Sequence, residues 1–141
     1  MSTIDNARLV QSLYLALRND DQPLFLSKLS MNVRWTQPGG GLLPWGGRWE
    51  GRDKVAEYFR ILHSEIEYQL FEPLEFVSEG EYVVVRGSST ALARRSQQTV
   101  AQSWVMVWTV RGGIVTTVEY FDDTAKWEAA LSWSAPSRSR A

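Results

Sequence analysis

Residues 68 to 121 constrain the fold more than any other part of the chain. Over the segments 68–77, 81–93, 99–111 and 113–121 the pattern has a period of two, and Val, Tyr, Phe, Trp and Thr dominate. "SEGE" and "RGG" are turns between neighbouring strands, and "RRSQQ" reads as a hairpin tip. Such an antiparallel meander needs cover for at least one face. The preceding residues supply it. Residues 3–18 carry Val10, Leu13, Tyr14 and Leu17 at helical spacing, with Ser2 or Thr3 able to cap. "NDDQPLFLSKL" restarts a short helix with Pro23 in its first turn, where a missing N–H costs nothing.

"MNVRWTQ" reads as a strand, and "PGGGLLPWGGRWEG" as a long Gly-rich loop with a short strand at 47–50. "GRDKVAEYFRILHSEIE" is the clearest helix. Val55, Phe59, Leu62 and Ile66 form one stripe, and Asp53 sits where an N-cap or first-turn acid belongs. "DDTAKWEAALSW" closes with a short helix. Helices grouped ahead of a run of strands predict an α+β fold: a strongly curved, mostly antiparallel sheet wrapped around N-terminal helices, a cone enclosing a pocket. The expected organisation is a single domain over residues 1–133 and a mobile polar tail over 134–141.

The 141 residues suit one domain, and 44% hydrophobic with 22% charged is enough for a core. A net charge of −1 without a basic run argues against nucleic acid or an anionic membrane as partner. No segment reaches the roughly 20 apolar residues of a membrane span. The first residues lack the pattern of a secretion signal, so a cytoplasmic protein is expected. With no cysteine and one histidine, thiolate chemistry and a transition-metal site are not expected, and no cofactor is called for. "PGGGLL" lacks the strand, helix and Lys context of a phosphate-binding loop.

Seven tryptophans are the unusual feature, and they fit a Trp-rich core, a dimer interface or the walls of a cavity. Parity places Trp104, Met106, Trp108 and Val110 on one face of their strand, and Val115, Thr117, Glu119 and Phe121 on one face of the next. Both faces of these strands are largely apolar, so one can cover a pocket while the other meets a second subunit. Glu119 lies between Thr117 and Phe121, and Arg86 ends a Val run. A cross-sheet Arg86–Glu119 pair is either a structural ion pair or a pocket acid positioned by an arginine. His63 reads as an ordinary helix histidine, and Asp122–Asp123 as caps of the last helix.

Taken in order, Tyr14, "RWTQPGG", "WEGRDKVAEYFRIL" and "WVMVWTVRGGIVTTVEYFDDTA" resemble the SnoaL-like and ketosteroid-isomerase-like branch of the nuclear-transport-factor-two-like superfamily, over about residues 5 to 131. The resemblance implies a cystatin-like α+β roll with a deep pocket, and a homodimer through the sheet. In the steroid isomerases a tyrosine on the first helix donates to the developing enolate, and Tyr14 falls there. The general base of those enzymes ends the first strand, where this chain has Gln37. Their second, neutral acid falls at Met106. An amide and a thioether cannot replace that acid–base pair, so steroid-type isomerisation by this route is not expected. Against the epoxide hydrolases of the superfamily, Glu119 and Arg86 resemble one acid and the arginine, but the second acid falls near Ser88.

The residues expected to act are therefore Glu119, Tyr14, Gln37 and Arg86, in a cavity lined by Trp35, Phe59, Trp104, Met106, Trp108, Thr117 and Phe121. Three functions compete. One is a cofactor-independent isomerase, cyclase or hydrolase acting on an apolar carbonyl- or hydroxyl-bearing molecule. Another is a binder of a small apolar ligand without chemistry. The last is a dimerisation module.

Overall fold

The structure is a computed structural model and describes residues 3–134. The expected mobile tail falls, from residue 135 on, outside the described residues, and so does Ser2 as a cap. The elements are α1 (Thr3–Arg18), α2 (Gln22–Ser27), β1 (Leu29–Gln37), a 3-10 turn at Gly40–Leu42, β2 (Gly47–Glu50), α3 (Arg52–Glu65), β3 (Ile66–Glu79), β4 (Tyr82–Ala93), β5 (Thr99–Arg111), β6 (Ile114–Phe121) and α4 (Thr124–Ser132).

Local chemistry explains the helix ends. The Asp21 carboxylate accepts from the Leu24 N–H at 3.2 Å and starts α2, with Pro23 in the first turn. Gly51, at φ 91°, is the N-cap of α3, and Asp53 follows inside the first turn. Asp123 caps α4 by accepting from the Ala125 N–H at 3.1 Å. Along α3, Val55, Tyr58, Phe59 and Leu62 are buried as one stripe.

The six strands form one open sheet in the order β2-β1-β6-β5-β4-β3, antiparallel except where β1 runs parallel to β6. The fold is thus the expected α+β one, with a curved, unclosed sheet and the N-terminal helices against it. Register shifts at Tyr68/Leu70 and Pro73/Glu75 in β3 and at Thr109/Val110 between β5 and β6 bend the strands. Helix α1 packs against β3 and β4, and α3 against β1, β2 and β3. The concave face carries Trp35, Val85, Trp104, Met106, Trp108, Val118 and Tyr120, all buried. Gly87 stands opposite Trp104 in register, and a Cβ there would collide with the indole. The absent side chain lets the Trp104 ring lie across β4. No helix among the described residues is long and apolar enough to cross a membrane.

Candidate functional site

A cavity of about 780 Å³ lies between α1, α3 and the concave face of the sheet, within the usual range for small-molecule pockets. Its mouth is formed by exposed side chains of α1, the α1–α2 turn, α3 and β3, among them Leu15, Arg18, Asp20, His63, Leu70 and Glu72. Its interior is formed by buried ones: Tyr14, Trp35, Gln37, Tyr58, Phe59, Met106 and Tyr120.

Beta-strand pairing fixes the inner wall. Trp35 and Val118 are partners across the parallel β1–β6 pair, as are Thr36 and Glu119. The alternation therefore sends Trp35 and Gln37 inward beside Val118 and Tyr120. Tyr120 is in turn opposite Met106 on β5. Gln37 is 3% exposed, and its amide nitrogen has no hydrogen-bond partner. The Trp35 indole N–H and the Tyr120 hydroxyl are also buried without one. Buried polar groups are normally satisfied, so this wall has donors to spare.

Tyr14 is committed elsewhere. Its hydroxyl donates to the Met106 sulfur at 3.1 Å and accepts the Trp108 N–H at 3.0 Å. Burial holds the phenol far above its ordinary pKa, partly offset by the Trp108 bond. A phenol has a single proton to give, so Tyr14 reaches the cavity with its ring and not with a free donor.

Four of the residues read from the sequence as part of the site lie elsewhere. Glu119, Thr117 and Phe121 are on the convex face, because Thr109 pairs with Thr117 while Val110 pairs with Val115. The extra residue, Thr116, forms a bulge that inverts parity, so Val115 points in and so do Val118 and Tyr120. Arg86 is also on the convex face and pairs with Glu75, its register partner on β3, at 3.6 Å. Strand β5 separates Arg86 from Glu119: Arg86 is aligned with Val105 and Phe121, and Glu119 with Val107. Trp104 and Trp108 do face inward but sit one layer behind the cavity. Trp104 stacks on Phe71 at 4.6 Å, and Trp108 packs edge-on to Tyr14, Phe25 and Trp35. Trp35, Phe59 and Met106 line the cavity itself.

One acid is placed differently from its sequence reading. Asp123 caps α4, whereas Asp122 turns back toward the core and accepts the Trp127 N–H at 2.7 Å. Burial raises the Asp122 carboxyl above the ordinary carboxylate range, with Trp127 and Tyr120 pulling it back. The Tyr120 hydroxyl is near enough to act on the carboxyl without closing a well-formed hydrogen bond. Asp122 also acts on Tyr58 and Tyr68, whose phenols burial already pushes upward. The readable signal was the Trp five residues on, which gives a half-buried carboxylate its donor. No group of three His, Asp or Glu side chains among the described residues converges to hold a metal.

The family model of the SnoaL-like domain matches residues 10–118. The chain belongs to the SnoaL-like family. The SnoaL-like chain is similar to two solved structures of NTF2-like proteins from Burkholderia. That from Burkholderia xenovorans LB400 is 29% identical, with a TM-score of 0.85, over 94% of this chain and 99% of that one. That from Burkholderia pseudomallei K96243, described as of unknown function, is 32% identical, with a TM-score of 0.83, over 94% and 100%. A structure of TerC co-crystallised with polyporic acid is 26% identical, with a TM-score of 0.81, over 92% and 99%. A search of curated protein sequences gave no significant match.

Proposed function

We propose that this SnoaL-like domain binds a flat, mostly apolar small molecule bearing a carbonyl or hydroxyl group in the cavity between the sheet and helices α1 and α3. The observation that carries this reading is a 780 Å³ cavity with an aromatic interior and a buried, unpartnered amide at Gln37. Aromatic walls favour a planar ring system, and a few convergent polar groups orient it. That TerC was crystallised with polyporic acid supports a ligand of this size in the family. Equilibrium dialysis against planar aromatic ketones tests it. Micromolar binding to the wild type is expected, and absence of binding across such ketones would end the reading.

A second, catalytic reading is favoured by Asp122. With Glu119 on the convex face, Asp122 is the acid that acts on the cavity phenols, through Tyr120, Tyr58 and Tyr68. A carboxyl raised by burial suits general acid–base work. On this reading the Tyr120 hydroxyl, kept protonated by burial and the nearby Asp122 carboxyl, donates to an oxygen of the bound molecule as charge develops there in an isomerisation or ring closure.

The convex face fits a homodimer. Val77, Val84 and Val107 run in register across β3, β4 and β5, and Phe121 adds a ring that is 49% exposed. An apolar stripe of this kind on a sheet is a common subunit contact.

A further inference from the structure

We infer that the inner end of the cavity is an acceptor-oxygen subsite, in which Gln37 selects a ligand by an uncharged carbonyl oxygen. This rests on the small-molecule reading above and names the group that the cavity recognises and the residue that recognises it.

Three buried donors border this end of the cavity. The Gln37 amide nitrogen, the Trp35 indole nitrogen and the Tyr120 hydroxyl all line it, and none has a hydrogen-bond partner. They come from β1 and β6, neighbouring strands whose parallel register brings Gln37 beside Tyr120. Trp35 stands two residues earlier on the same face of β1. Trp35 has a partial neighbour in the Tyr58 hydroxyl, and Tyr120 has one in Asp122. Gln37 has neither, so its N–H groups are the donors most in need of an acceptor. An indole N–H can only donate, so a ligand atom serving this wall must be an acceptor. The ligand atom is therefore an oxygen with lone pairs.

Charge decides which kind of oxygen. The cationic side chain that lines the cavity is Arg18, exposed at the mouth near His63, whose imidazole burial holds below its ordinary pKa and so neutral. The inner end has the Asp122 carboxyl near Tyr120 instead. A carboxylate or phosphate there would be desolvated beside a like charge, which costs far more than a few hydrogen bonds return. A ketone or quinone carbonyl accepts from the amide and the indole without that cost. The mouth offers an anion no better place, because Asp20, Asp21 and Glu72 line it beside Arg18.

The test uses 9-fluorenone and fluorene, planar molecules of nearly equal shape that differ by one carbonyl. Equilibrium dialysis against the full chain gives the affinity of each. The wild type should prefer fluorenone by roughly tenfold, the effect of one or two buried neutral hydrogen bonds. Gln37→Leu and the straighter Gln37→Met should each remove most of this preference by weakening fluorenone and leaving fluorene unchanged. Gln37→Glu, which supplies acceptors only when ionised, should weaken fluorenone most at high pH. A circular dichroism melt identifies any variant that does not fold, and the remaining ones carry the comparison. Equal binding of both molecules by the wild type, or a fluorenone preference that survives both Gln37→Leu and Gln37→Met, overturns the subsite and leaves the cavity reading standing. Binding of neither fluorenone nor any other planar aromatic ketone overturns both.

Discussion

The Tyr14 hydroxyl gives its one proton to the sulfur of Met106, 3.1 Å away. The acceptor is a thioether, which neither gives nor takes a proton. With the Trp108 N–H also on the hydroxyl oxygen, Tyr14 is a structural node.

Tyr14→Phe should therefore cost stability more than binding. It leaves the buried Trp108 N–H without an acceptor, a penalty of about 1–3 kcal/mol. Urea unfolding should show this loss, while the affinity for an aromatic ketone changes by less than about threefold. Loss of binding at unchanged stability would show that Tyr14 donates to the ligand after all.

Gly87→Ala should be among the most damaging single substitutions in the sheet. The new Cβ meets the Trp104 ring, which is buried and stacked against Phe71, Tyr14 and Tyr120. Overpacking of this kind costs about 1–3 kcal/mol or more. A melting temperature within a degree or two of wild type would contradict the packing described.

Asp122 should give the stability curve a pH dependence of definite sign. Its folded carboxyl titrates above the ordinary range because burial opposes the charge. The folded state thus holds its proton more tightly than the unfolded chain. Its contribution is most favourable below the unfolded value and is lost as pH rises through the folded one. Asp122→Asn keeps an acceptor for Trp127 and removes the charge, so it should flatten that fall and be no less stable at pH 7. Denaturant unfolding between pH 4 and 7, a range chosen as roughly spanning the carboxylate titration, checks it. A variant whose pH profile matches wild type would contradict it.

Much of this fold is legible in the sequence. Period-two patterning marked β4, β5 and β6 nearly to their ends, and the Val55–Leu62 stripe marked α3 and its buried face. Gln37 was legible as well, through the resemblance, which implies that the end of the first strand faces the pocket, and the structure has it lining the cavity two residues after Trp35. Glu119 was not. Parity counted from Val115 gives the wrong face past Thr116, because a bulge adds one residue and "VTTVEY" carries no Gly or Pro to mark it. Asp122 and Asp123 are equally good caps by sequence, and the Trp127 indole separates their roles.

The convex face carries the opposite expectation. Glu119→Gln should leave ligand binding unchanged and shift stability by no more than about 0.5 kcal/mol, as exposed substitutions do. Phe121→Arg should reduce the mass seen by light scattering from dimer to monomer. A wild-type monomer at micromolar concentration would remove the dimer, and a Glu119→Gln variant that no longer binds ligand would return that residue to the site.

The most direct test of the cavity reading is to follow the indole N–H resonances during a titration with 9-fluorenone. The chain has seven tryptophans, and Trp35 is the one whose ring lines the cavity. The account predicts that the Trp35 signal moves first and furthest, that Trp104 and Trp108 follow weakly from one layer behind, and that Trp133, 43% exposed and outside the cavity lining, stays still. A titration that leaves Trp35 unmoved, or in which Trp133 leads, would contradict it.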